Sequence, residues 1–127
     1  MRRVSGFTLV ELIVVIAILA ILAATAVPRF VNLSGNAMSA TANGIAGALA
    51  SAAAVNYAAH LASAGAGVTV LTCAAATAIL TGGLPAGASI SGTSAAVATG
   101  ATMTCTVNYT SSGQSVNVTA TLIASSL

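Results

Sequence analysis

The stretch that decides the fold is GFTLVELIVVIAILAILAATAVP, Gly6 to Pro28. From Phe7 to Val27 only Thr8, Glu11 and Thr25 interrupt a run of apolar residues. As a helix this run is about 31 Å long at 1.5 Å per residue. That is close to the roughly 30 Å thickness of bilayer hydrocarbon, so a membrane-spanning helix is the default reading. Arg2 and Arg3 precede the run and Arg29 follows it. The positive-inside bias therefore puts the N-terminus in the cytoplasm and the rest of the chain outside. A secretory signal shares the basic start, and AILAATA, residues 20–26, has the small residues of a cleavage site. Its apolar core would be shorter, about 7–15 residues, and removing the segment would leave Glu11 without a purpose.

Glu11 is the only carboxylate side chain in the protein, and it lies five residues into the apolar run. An ionisable group inside a membrane span is costly and usually marks function. The plain alternative is that it snorkels to the headgroups or is protonated. Arg29 is 18 residues on, about 27 Å along a helix, which is out of reach. A partner for Glu11 is therefore expected from a chain terminus or another molecule.

MRRVSGFTLVELIVVIAILAILAATAVPRF, residues 1–30, resembles the N-terminus of a bacterial type IV prepilin. The family pattern is a short basic leader ending in Gly, then Phe, then Thr-Leu-hydrophobic-Glu and an apolar stretch. Arg2, Arg3, Gly6, Phe7, Thr8, Leu9 and Glu11 supply these in order. The resemblance covers about 30 residues and is loose beyond them. It implies that a prepilin peptidase cuts between Gly6 and Phe7, and that the new terminus at Phe7 is N-methylated. The apolar segment stays with the protein, and Glu11 meets the terminal amine at Phe7 of a neighbouring subunit. A lone charge in an apolar core is costly, whereas a paired one is tolerable. Such a pair sets the axial register between copies more than it adds net stability.

Pro28 ends the apolar run, but helical patterning resumes at once. Phe30, Leu33, Ala37, Ile45, Leu49, Ala52 and Val55 recur mostly at three- and four-residue steps and predict an apolar stripe. One helix is expected from Phe7 to about Leu61, kinked or melted near Pro28, where a backbone hydrogen bond is lost. At about 80 Å it needs neighbours along its length. Ala20-xxx-Ala24 and Gly44-xxx-Ala48 let helix backbones approach closely, although Ala-rich composition alone gives the same pattern. Gly65 and Gly67 read as the helix exit.

TCAAATAIL, residues 72–80, reads as a short helix stopped by Gly82, Gly83 and Pro85. ATMTCTVNYT alternates Met103, Cys105, Val107 and Tyr109 against polar residues. SVNVTATLI does the same with Val116, Val118, Ala120 and Leu122, and TSSGQ between them is a turn. These predict a hairpin, with ASIS around Ile90 as a third strand. The fold class is α+β: a long N-terminal α-helix with a small antiparallel sheet packed on its second half. The domain reading is a leader at 1–6, a membrane or filament-core helix at 7–28, the amphipathic second half at 29–61 and a β-rich domain at 62–127.

Cys73 and Cys105, the only cysteines, read as one disulfide in a domain outside the cytoplasm. Free buried thiols are the alternative. No metal site and no cofactor is expected: His60, the sole histidine, reads as a solvated residue near the helix end, and no carboxylate follows Glu11. The Asn32, Asn108 and Asn117 sequons, NLS, NYT and NVT, are possible glycosylation sites.

Composition closes off other classes. Charged residues are 3% of the chain and apolar ones 57%, the opposite of a disordered segment. From Phe30 onward there is no Asp, Glu, Lys or Arg, so direct nucleic-acid binding is not expected. Acid–base or metal catalysis wants clustered histidines and carboxylates, so an enzyme is not expected either. From Ala62 onward 21 of 66 residues are Ser or Thr, which suit water yet permit close association between copies.

The resemblance implies a homopolymer of identical subunits, held in the inner membrane before assembly and then forming an extracellular filament for adhesion, motility or DNA uptake. It also implies a prepilin peptidase, an assembly ATPase and a platform protein as partners. Two alternatives are a major pseudopilin of type II secretion and an uncut, single-span binding module. Pseudopilins of that kind commonly carry acidic calcium ligands near the C-terminus, which this chain lacks.

Overall fold

The computed structural model describes residues 6–63 and 65–126, without the side chains of residues 27–32. Arg2 and Arg3, and with them the leader's basic start, lie outside the described residues, as do the side chains of Pro28, Arg29, Phe30 and Asn32. A single helix, α1, runs Leu9–Ala62. It is followed by a short 3₁₀ turn, Ala75–Ile79, and three strands: β1 Ala88–Gly92, β2 Thr102–Ser111 and β3 Gln114–Ile123. The chain divides into two compact units, residues 1–36 and 37–127.

In the first unit, the Leu9–Ala26 stretch of α1 is apolar apart from Glu11 and Thr25. Leu9–Ala26 has mean hydropathy 2.8 and no buried residue. Ala and Leu favour helix here, and the β-branched Val and Ile residues are tolerated because no facing element crowds them. The helical backbone continues through Pro28. Of the two outcomes expected there, a kink or local melting, melting is not present. A second stretch, Leu33–Ala62, is also long and apolar enough to span a membrane, with mean hydropathy 1.3, but part of its face is committed to the sheet.

The second unit is built from that part of α1 and the sheet, whose order is β1-β2-β3 with both pairings antiparallel. Its register puts Met103 opposite Leu122, Cys105 opposite Ala120, Val107 opposite Val118 and Tyr109 opposite Val116. All eight therefore share one face, as the alternation predicts. The hairpin closes through two residues, Ser112 and Gly113, both with positive φ (51° and 76°). That conformation matches the right-handed twist of the flanking strands, and glycine adopts it without penalty. One expectation changes in detail: the short helix expected at 72–80 is a 3₁₀ turn, Ala75–Ile79. The third strand expected at ASIS is present as β1.

The inner face of the sheet meets Ile45, Ala46, Leu49 and Ala53 of α1, with Val70, Cys73 and Ala76 closing the core. The stripe on α1 therefore differs from the predicted one. Met38, Ala42, Ile45, Ala46, Leu49, Ala53 and Asn56 are buried, whereas Leu33 and Val55 stay 62% and 68% exposed. Of the predicted stripe's described side chains, Ile45 and Leu49 are the ones in the core, and Phe30 lies outside the described side chains. In so apolar a helix more than one three-to-four stripe exists. The sheet takes the one with alanines at its centre, because a flat sheet face packs closest against small side chains.

Candidate assembly segment and the polar clamp behind it

The first turn of α1 is organised by Thr8. Its backbone N–H and its hydroxyl both donate to Glu11 Oε2, each at 2.8 Å, and Glu11 N–H donates back to Thr8 Oγ1 at 3.3 Å. This is a capping box: Thr8 and Glu11 satisfy donors that the first helical turn leaves without partners. The expected partner, a chain terminus or another molecule, was a counter-ion, and Thr8 adds a neutral partner within the chain. One carboxylate oxygen is held by Thr8. Oε1 accepts no hydrogen bond among the described residues. The signal was in the sequence, since TLVE, residues 8–11, has the T-x-x-E spacing of the motif.

Gly6 and Phe7 precede the helix outside any regular element, and Phe7 is 88% exposed. The peptide bond between them is thus outside any regular element, which is what a protease needs in order to thread a chain through its site. Gly6, Phe7, Thr8 and Glu11 together line a shallow concavity. Behind it Leu12, Ile13, Ile16, Leu19 and Leu22 are all more than half exposed. An exposed apolar surface of this extent marks a membrane or protein contact.

In the second unit, Cys73 and Cys105 are joined, with Cα atoms 5.6 Å apart. The bond ties the segment leaving α1 to the central strand. The two sequon asparagines of the hairpin stand directly opposite each other on β2 and β3. Asn108 Nδ2 donates to Asn117 Oδ1, and Thr110 Oγ1 donates to Asn108 Oδ1. Asn117 is exposed, whereas Asn108 is half-buried with its amide engaged at both ends. Asn32 lies in α1, and its side chain is outside the described ones.

A second polar constellation escaped the sequence reading. Asn56 is buried on α1, and its Oδ1 accepts from Val68 N–H at 2.7 Å. Its Nδ2 donates to Val68 O at 2.8 Å and to Ser125 Oγ, which in turn donates to Val68 O at 3.2 Å. Val70 and Ser125 exchange backbone hydrogen bonds of 2.7 and 3.0 Å beside it. Asn56 thus clamps the helix, the exit loop and the C-terminal residues together. Gly67 passes so close that a Cβ there would stand 2.8 Å from Asn56 Oδ1, and its φ of +93° favours glycine independently. One helical turn on, His60 is half-buried rather than solvated. Its Nδ1 is buried with no hydrogen-bond partner among the described residues. It shares the face of Asn56 that the exit loop covers.

Comparison with known proteins agrees with the geometry of the N-terminal segment. Residues 1–27 match the model of the prokaryotic N-terminal methylation motif. Over 53 residues the chain is 49% identical to PilA5 of Thermus thermophilus, described as a type IV narrow pilus major component. That match covers 42% of this chain and 46% of the relative, so it spans less than half the relative's length. No solved structure matches the chain. The motif and the shared sequence support a type IV pilin, and the helix-plus-sheet architecture is consistent with that fold.

Proposed function

We infer that this chain is a type IV pilin that serves as the structural subunit of a pilus. The observation that carries the reading is the methylation motif at residues 1–27 together with the 18 apolar helical residues inside it, Leu9–Ala26, none of which is buried. Such a surface is stable in a lipid bilayer before assembly and among other helices afterwards. Hydrolysis between Gly6 and Phe7 by a prepilin peptidase leaves an amine at Phe7, which is then N-methylated. That amine is a cation close to the plane of the capping box. Glu11 Oε1, unused by Thr8, accepts it from a neighbouring copy, and Thr8 keeps the carboxylate pointed towards the helix start. A copy docked out of register leaves both charges unpaired, so the pair fixes the axial step.

An assembly ATPase and a platform protein lift the subunit from the inner membrane into an extracellular filament. A bend at Pro28, where one helical hydrogen bond is missing, lets the two stretches of α1 adjust independently. Adhesion, motility or DNA uptake is the use of the finished fibre. Any nucleic acid is held by another component, because Arg29 is the only side-chain cation left after the leader is removed. Of the two sequons with described side chains, Asn117 is better placed than Asn108 to carry a glycan, since it is exposed and its amide nitrogen donates no hydrogen bond among the described residues.

Mass spectrometry of subunits recovered from shed fibres tests the reading. The expected N-terminus is Phe7 carrying one extra methyl group. A chain that begins at Met1 and stays in the membrane is instead an anchored single-span module, and refutes assembly through a freed Phe7 amine.

A further inference from the structure

The sheet covers α1 with one face, and its opposite face has no partner among the described residues. The register sets Ser91, Thr106 and Thr119 side by side across the three strands, with Ser89, Asn108 and Asn117 in the next row. Thr104 opposite Thr121 and Thr110 opposite Ser115 flank these two rows. Over the four rows every side chain is a hydroxyl or a primary amide. The face is exposed, with only Thr106 and Asn108 at its centre half-buried. Part of it is already ordered, since Asn108 Nδ2 donates to Asn117 Oδ1 and Thr110 Oγ1 donates to Asn108 Oδ1. The hydroxyls of Thr104, Thr106, Thr119 and Thr121 make no hydrogen bond among the described residues.

We propose that this face is a contact between fibres, where it meets the same face of a second copy in another filament. The proposal rests on the filament reading and adds a lateral surface to it. Charge and size select the occupant. A hydroxyl both donates and accepts, so the face is complementary to itself. With no Asp, Glu, Lys or Arg from Phe30 onward, no like charge holds two such faces apart. The same neutrality gives a nucleic acid nothing to pair with. Identical sheet faces of low charge, asparagine ladders included, interdigitate as stacked sheets about 10 Å apart. The four rows span about 24 Å along β2 and about 14 Å across three strands, roughly 340 Å². A stable dimer buries about 800 Å² per partner, so one pair of subunits does not hold. A filament repeats the face with every subunit, and once one pair meets, its neighbours meet at high effective concentration. Because the face is opposite the one that packs on α1, a filament built about α1 turns it outward, and the faces of one fibre do not meet each other.

A charge placed on the face tests this. Thr119 is exposed, and aspartate is close to it in size. Thr119→Asp and the control Ser94→Asp, exposed in the loop after β1, are made in the full-length chain, in a host that assembles the wild type. Subunits are checked for a Phe7 terminus, an intact Cys73–Cys105 bond and the mass of the unmodified chain, since a glycan at Asn117 would stand in this face and keep fibres single. Purified fibres are counted as single or bundled by electron microscopy at about 0.15 M salt, where charges act over about 8 Å. The expected result is normal fibre yield in both variants. The bundled fraction should be unchanged in Ser94→Asp and at least tenfold lower in Thr119→Asp, recovering at about 1 M salt, where that reach falls to about 3 Å. Isotopically heavy and light wild-type fibres, assembled separately and then mixed, should crosslink heavy to light from a photo-reactive residue at position 119 to residues 89–121.

Wild-type fibres that stay single, or Thr119→Asp fibres that bundle normally, overturn the proposal and leave the pilin reading standing. Equal loss in Ser94→Asp, or crosslinks confined to single fibres, also overturn it. Bundling that appears only on addition of dextran assigns the face to a neutral polysaccharide instead, and overturns the contact between copies. A wild-type chain that begins at Met1 and never assembles overturns the pilin reading, and this proposal with it.

Discussion

Replacing Asn56 by alanine probes the least anticipated part of the structure. The change deletes three hydrogen bonds: one accepted from Val68 N–H, one donated to Val68 O and one donated to Ser125 Oγ. Each is worth about 1 kcal/mol net when both partners were satisfied. Ser125 is only 1% exposed, so its hydroxyl keeps Val68 O but loses its other partner without gaining water. Val68 is less enclosed, and its N–H recovers part of its loss from solvent. The net cost to the second unit is then about 2–4 kcal/mol. In urea the midpoint should fall by on the order of 1–3 M, measured on the full chain in detergent by far-UV circular dichroism. Amide hydrogen exchange at Val68 and Val70 should accelerate alongside. Coupling with Ser125→Ala should be non-additive by about 0.5–3 kcal/mol in a double-mutant cycle.

The aspartate variant adds a sign. Asn56→Asp keeps the acceptor for Val68 N–H but turns the other oxygen towards Val68 O, an acceptor, and deletes the donor. Only the protonated acid can donate there, so folding raises the aspartate's pKa above its unfolded value of about 3.9. A group with a raised folded pKa contributes its stability below the unfolded value and loses it as pH rises through the folded one. The variant should thus approach wild-type stability in acid and fall away towards neutrality. A midpoint shift below about 1 kcal/mol for Asn56→Ala, with Val68 exchange unchanged, refutes the clamp.

At the assembly segment, Glu11→Gln keeps an acceptor for Thr8 but removes the charge, whereas Thr8→Ala keeps the charge and removes the cap. Filament yield should collapse in Glu11→Gln and fall only modestly in Thr8→Ala, with Phe7 termini in both. The reverse order would make capping the whole role of Glu11. Replacing Cys73 and Cys105 together by serine opens a 32-residue separation. It should cost the second unit about 3–4 kcal/mol in the chain-entropy model, read as a lower urea midpoint with the Leu9–Ala26 helix content retained.

The strands were legible because their signal is local. Met103, Cys105, Val107 and Tyr109 alternate with polar residues, and a two-residue turn fixes the register with β3. The disulfide and the two ends of α1 were legible for similar reasons, since few residues compete for those roles. The buried stripe of α1 was not. Leu33 and Val55 are as hydrophobic as Leu49, and periodicity alone does not tell which ridge a sheet will cover. Asn56 was missed because its partners, Val68 and Ser125, are 12 and 69 residues away. Thr8 was legible as part of the leader motif but not as a cap, because a carboxylate in an apolar run calls for a counter-ion and Thr8 is a neutral donor three residues from Glu11.

Of the predicted stripe, Val55 stays out of the core and lines an open trough along α1 with Ala48, Ser51 and Ala59. Val55 keeps 68% of its surface exposed and lines the trough, while Leu49, of similar hydrophobicity, is fully buried under the sheet. A monomer gains nothing from leaving Val55 in water, at about 25 cal/mol per Å² of apolar surface. With no charge from Phe30 onward to keep copies apart, such a surface is a liability in a monomer and an asset in a polymer. The same helix therefore divides its residues between two tasks. Alanines and Leu49 hold the sheet and Asn56 locks the helix to the exit loop, while the Thr41–Ala59 ridge is left uncovered.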